Sequence, residues 1–386
     1  MRRREPALSD EATRWLVALL FLGGAGFVSG TVLSPARAWT SYLVGAFYFL
    51  SIALGALVLL AMLHLSRAGW SVALKRVIEG VAAYLPVGAA SMVLVLLGLH
   101  SIYPWADHAA SAHFLHGKAG YLSGSAFALR LGVVLVVWLG FWAVLSRSSS
   151  AQDADGNLSH TRRSVSASAL FLLTFAYTFS IASVDWLMSV DPHWGSTIFS
   201  LYNISGLFVA SLATITVTAI LLRRSGALPE VNENHLHDLG KLLFGGATFW
   251  AYLWFSQYLL IWYANIPEET VYYVARAEGG WDFLFYLNFG LNWVLPFFLL
   301  LPRPAKRSED HLLRVSAILL IGRWLDLYLM VAPTGQPEHR GVGFLEVAAF
   351  VAFASLFVLV VARSLRAKPL IARGDPYLVE SLHHHQ

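Results

Sequence analysis

The chain has 386 residues, of which 57% are hydrophobic and 13% charged, with 27 Lys and Arg against 23 Asp and Glu. With a mean hydropathy of +0.60, that balance excludes an ordinary water-soluble globule and points to an all-α polytopic membrane protein, a single integral membrane domain over 1–386. The absence of cysteine excludes disulfides, cysteine-ligated iron-sulfur clusters and covalently attached haem c, so any one-electron chemistry must borrow a partner's cofactors.

About 20 helical residues cross a bilayer core. Ten apolar runs of that order are predicted as transmembrane helices, at 15–33, 40–65, 80–99, 127–145, 166–188, 196–222, 241–265, 282–301, 312–332 and 343–362. They are continuous and do not alternate, which argues against a barrel. Ahead of the first run, Arg2, Arg3 and Arg4 are followed by polar residues, and no small-residue cleavage site closes the run, so it reads as a retained helix. After the third run, the 100–126 connection holds His100, His108, His113 and His116 at spacings that match no standard ligand pattern; they read as surface histidines and no metal site is expected.

Between the fifth and sixth runs stands SVDWLMSVDPHWGST, residues 183–197. Asp191 followed by Pro192 suits a helix N-cap and first helical position, and His193 and Trp194 suit the interfacial layer. The polar stretches 146–165 and 223–240 read as flexible loops, and 364–386 as a C-terminal tail. With the N-terminus inside, 21 of the 27 Lys and Arg residues fall on one side, while the outer loops hold only Arg37, Lys118, Arg276 and Arg340. The positive-inside rule therefore puts both termini in the cytoplasm and the 183–197 connection outside.

Ionisable side chains inside spans are functional candidates by default. Arg130, Asp185, Gln257 and Glu346 fall near outer helix ends, Arg323 and Asp326 lie three apart on one face of the ninth span, and Asn288 and Asn292 lie four apart in the eighth. This outer concentration reads as a hydrated cavity or substrate pocket. Competing readings are an internal ion pair for Arg323 with Asp326, interhelical glue for the asparagines, and snorkelling for Glu346 and Lys241. The inner half offers His64, Glu79 and Lys241. A bis-histidine haem is excluded, because the only span histidines, His64 and His100, sit at opposite ends of their helices.

Four segments, DWLMSVDPHWGSTIFSLY (185–202), FSQYLLIWYANIPEETVYYVAR (255–276), LNFGLNWVLPFFLLLPRPAKR (287–307) and GDPYLVESLHHH (374–385), resemble the NrfD-like membrane subunits of bacterial alternative complex III, a quinol:cytochrome c oxidoreductase, and among them the second, ActF-type, quinone-binding subunit. The resemblance covers about residues 14–386. It implies an NrfD-like fold of two four-helix bundles, 40–188 and 196–332, with peripheral first and last helices, in the bacterial inner (cytoplasmic) membrane. Implied partners are a sister NrfD-like subunit, an iron-sulfur protein, c-type cytochrome subunits and, beyond the complex, a terminal oxidase; a nucleic acid is not expected. The implied small molecule is menaquinol or ubiquinol. The family motif maps Asp185, Asp191, His193, Gln257, Asn265, Glu268 and Glu269 to the outward side. A relay through Asp185, Arg323, Asp326 and Glu346, with Arg130 beside them, is expected to carry protons, and His64, Glu79 and Lys241 to form an inner half-channel. The alternatives are a purely structural anchor of the same complex and, further off, an independent secondary transporter.

Overall fold

The computed structural model describes residues 8–107, 120–278, 280–336 and 339–385. His108, His113 and His116 of the histidine-rich connection lie outside them. Among the described residues there are helices and no strands. We label them α1 Asp10–Leu33, α2 Pro35–Leu65, α3 Gly69–Ile102, α4 Gly124–Asp155, α5 Leu158–Trp186, α6 Phe199–Arg224, α7 Glu233–Ala264, α8 Pro267–Ala277, α9 Asp282–Leu300, α10 Glu309–Gly335, α11 Phe344–Ala367 and α12 Leu378–Leu382.

Nine of these, all but α7, α8 and α12, are long and apolar enough to cross a membrane. Helix α7 has 32 residues and falls short on apolarity alone, because Trp250, Tyr252, Trp254, Gln257 and Tyr258 replace the aliphatic residues that fill the other runs.

Helix α2 is the axis of the molecule: its most apolar 18-residue window is 100% buried, whereas that of α1 is 17% buried. Around α2 pack α3, α5, α6, α10 and α11, while α1 lies against α11 and α2, and α7 and α10 flank α6. Association in lipid depends on close packing and interhelical hydrogen bonds, which small residues permit. A Cβ on Gly55 of α2 would stand 2.1 Å from Ser211 Oγ and 2.8 Å from the Leu207 carbonyl of α6. The gap is bridged by Ser211, whose hydroxyl donates to Ile52 O at 2.8 Å.

Two spans are irregular, each beside a proline. In α3, α-helical turns Lys75–Ala82 and Leu85–Leu94 meet just before Pro86 and are flanked by 3₁₀ turns. In α9 a π-turn, Gly290–Val294, absorbs the missing N–H of Pro296. The α3 interruption lies between the buried Ala82 and Leu85, where neighbouring groups can satisfy the backbone; in the α9 π-turn Asn292 is the buried residue.

Several expectations are corrected. The stretch 146–165 is not a loop: α4 runs to Asp155, Gly156 turns the chain at φ 66, and Asn157 caps α5. Ser148, Ser149 and Ser164 are buried and bonded, Ser148 Oγ donating to His160 O at 2.9 Å, so polarity there marks helix packing and not flexibility. The second stretch shortens to 225–232, because Asn232 and His235 form a capping box that starts α7. Asp191 is not a helix N-cap, since α6 begins only at Phe199. Instead it closes a local turn, accepting from His193 N at 3.3 Å.

Through alternating helix directions, connections 186–199 and 335–344 share one end of the bundle, here the DPHW end, and the C-terminal tail occupies the other. The tail is docked. Asp375 pairs with Lys75 at 2.7 Å, Ser381 Oγ donates to Trp70 O at 2.6 Å, and His384 reaches Asp238 at 2.7 Å.

Candidate functional site

The deepest polar cluster is built on α10. Residues three apart on a helix share a face, and here Arg323 is ion-paired with Asp326, the two being 0% and 1% exposed. Three other helices contribute to the shell. Tyr202 of α6 donates its hydroxyl to Asp326 Oδ1, Trp250 of α7 donates to Oδ2 at 3.2 Å, and Asn288 of α9 donates to Oδ1 at 3.1 Å. Asn203 of α6 accepts from Arg323 Nη2 at 2.8 Å. Asn292 then supports Asn288, donating to its Oδ1 at 2.7 Å. Room for the guanidinium comes from Gly206, where a Cβ would lie 2.5 Å from Arg323 Cζ.

Beside Asp326 a cavity of ≈ 20 Å³ is lined by Gln257, Tyr273, Arg276 and Asn288 among others. That is room for about one water, far below the roughly 300 Å³ at which small-molecule pockets begin. In this arrangement the residues do not fit a quinol ring. Gln257 Nε2 donates to Tyr273 at 3.1 Å, while its Oε1 is buried without a hydrogen-bond partner, a group that one water could satisfy.

Arg276, which the sequence reading placed in an outer loop, is 2% exposed. Pro333 lies inside α10 and has no N–H for the carbonyl of Leu329, four residues earlier. Arg276 Nε supplies that bond at 2.7 Å, and Nη2 donates to Met330 O at 2.8 Å. Its guanidinium sits 3.3 Å from the Tyr272 ring centroid, and Trp194 stacks on the same tyrosine at 3.8 Å. Burial holds the Arg276 pKa below its ordinary value, with Tyr272 and Asp191 opposing that shift. The tryptophan of DPHW is thus an aromatic lock on α8. The spacing Tyr272 to Arg276 and the proline in VAPTG were the available signals for it.

The other expected residues form separate groups. Asp185, 1% exposed, accepts from Arg130 Nε at 2.6 Å, and Arg130 lies 3.8 Å over the Tyr121 ring centroid. Burial first, and Asp185 second, push Tyr121 up to about 12. Glu346 does not snorkel. It is buried against Arg37, accepting from its Nε at 2.7 Å and Nη2 at 2.6 Å, with His339 against the same guanidinium. Asn265 is the left-handed C-cap of α7, and Glu268 and Glu269 lie in the first turn of α8, where acidic groups complement the helix dipole. His193 is exposed.

Towards the tail end, His64 Nδ1 meets Ser168 at 3.1 Å, Glu79 pairs with Arg76, and Lys241 pairs with Asp238 at 2.6 Å. These three belong to different helices, α2, α3 and α7. Among the described residues no cluster of His, Asp and Glu could hold a metal ion. No protein-family model matches the chain, and no curated protein matches it.

Proposed function

We propose that this chain is a non-haem, ten-span membrane subunit of a quinol:cytochrome c or similar acceptor oxidoreductase, NrfD-like in fold, with both termini cytoplasmic. It works beside a sister subunit, an iron-sulfur protein and c-type cytochromes, and contributes a proton pathway while menaquinol or ubiquinol is oxidised in the sister subunit. Helix α7 is the tenth span in this reading. The observation that carries the site is the Asp326 carboxylate, buried among Tyr202, Trp250, Asn288 and Arg323 and adjoining a water-sized cavity.

Oxidation of a quinol releases two protons, which need acceptors. Asp326 and the Tyr202 hydroxyl make a donor–acceptor pair, and Tyr272, Arg276 and Asp191 continue towards the DPHW end. Asp191 is half-buried there, placed to pass a proton to solvent.

The chain purified from native membranes should carry haem c absorbance with it; isolation in a haem-free state overturns the assignment to such a complex. In the assembled complex, Asp326→Asn and Tyr202→Phe should each lower proton release per quinol oxidised. Full release in Tyr202→Phe, which keeps the ion pair, sinks the proton role whether or not Asp326→Asn assembles.

A structural anchor is favoured by one specific observation: Asp185, Asp326 and Glu346 are each matched by an arginine. Unchanged turnover and proton release in both variants would establish it.

A further inference from the structure

At the tail end, a cavity of ≈ 500 Å³ lies where the turn after α2, the start of α5 and the docked tail meet. One wall is apolar, formed by Leu60, Leu63, Val72, Ile78 and Val165, while Arg67, Lys75 and Arg162 supply positive charge. Lys75 is matched by Asp375. Arg67 and Arg162 are exposed, and neither makes a side-chain hydrogen bond or ion pair among the described residues. Arg67 is the left-handed residue, φ 49, that ends α2, with Ala68 N donating to Leu63 O at 3.1 Å, and this turn places it beside the cavity. Next to the opening, Met62, Leu65 and Leu158 are exposed by 44%, 40% and 54%, so the apolar wall continues into the lipid-facing surface. Two free guanidiniums at the mouth of an apolar slot, at the end of a bundle rich in Lys and Arg, match an amphiphile with an anionic head.

We propose that this cavity binds an anionic phospholipid, its phosphate between Arg67 and Arg162 and one acyl chain along the Leu60–Val72–Val165 wall. The tail completes the site, because Asp375, Pro376 and Tyr377 form its far side. Asp375 faces the same space, and its pairing with Lys75 removes the repulsion it would otherwise exert.

The test is native mass spectrometry of the full-length protein, stripped of lipid in detergent and titrated with dioleoylphosphatidylglycerol, dioleoylphosphatidylcholine or inorganic phosphate. One phosphatidylglycerol should bind in preference to phosphatidylcholine. A double Arg67→Ala, Arg162→Ala variant should weaken it about thirtyfold, about fivefold for each arginine, while Arg163→Ala, outside the cavity, leaves it unchanged. Equal binding of the two lipids, or an unaffected double variant, overturns the proposal. Displacement of the lipid by equimolar inorganic phosphate also overturns it, revealing a free-phosphate site. Should the double variant fail to fold, Ser166→Trp decides: it obstructs the slot with both arginines intact and should abolish binding, and full retention refutes the site.

Discussion

At the DPHW end, Arg323 and Asp326 are 0% and 1% exposed and Asp326 adjoins a space of ≈ 20 Å³; at the tail end, Arg67 and Arg162 line a cavity of ≈ 500 Å³. Both places set arginine near apolar side chains, yet Arg323 has a carboxylate and an amide oxygen to donate to, Asp326 and Asn203, whereas Arg67 and Arg162 have neither among the described residues. The difference follows from depth. A guanidinium within the bundle has no water to replace a lost partner, so it comes with Asp326, Asn203 and a glycine that makes space for it. A guanidinium at the rim stays hydrated and available to something that arrives from outside.

The sharpest way to break this contrast is Asp326→Ala. It leaves Arg323 buried without its counter-charge and should cost about 3–5 kcal/mol, read as lost folded yield or a large drop in thermal midpoint in detergent. Arg130→Met should cost less, about 2 kcal/mol, because Arg130 retains 19% side-chain exposure and the freed Asp185 gains access to water. Ser381→Ala, which removes a buried hydroxyl donating to Trp70 O and accepting from Ala73 N, should cost about 1 kcal/mol and speed proteolysis of the tail. The paired Arg67→Ala, Arg162→Ala change should shift the midpoint least, within about 0.5 kcal/mol. A loss as large as that of Asp326→Ala would erase the distinction between the two ends.

Most spans were legible because lipid demands long apolar runs, and the i, i+3 spacing of Arg323 and Asp326 announced their pairing. Partners supplied by other helices were not legible: Tyr202, Asn203 and Trp250 come from α6 and α7, and no spacing within α10 points to them. Arg37 and Arg276 read as outer-loop residues, yet they lie in α2 and α8 and reach inward, to Glu346 and to the Leu329 carbonyl four residues before Pro333. Asp191–Pro192 has the chemistry of a helix start, but Trp194 is committed to its stack on Tyr272, and the helix waits until Phe199. The sequence marked 364–386 only as a tail, because each of its anchors is a long-range contact, Asp375 with Lys75 and His384 with Asp238.

The bond from Arg276 to Leu329 O exists because a ring nitrogen at position 333 cannot make it, and this ties two distant positions into one evolutionary unit. An alanine at 333 would restore the amide and compete for the same oxygen, while Arg276→Leu alone would orphan it. Each change alone should be harmful and the two together milder than either predicts, a reciprocal epistasis in which the arginine persists only as long as the proline does.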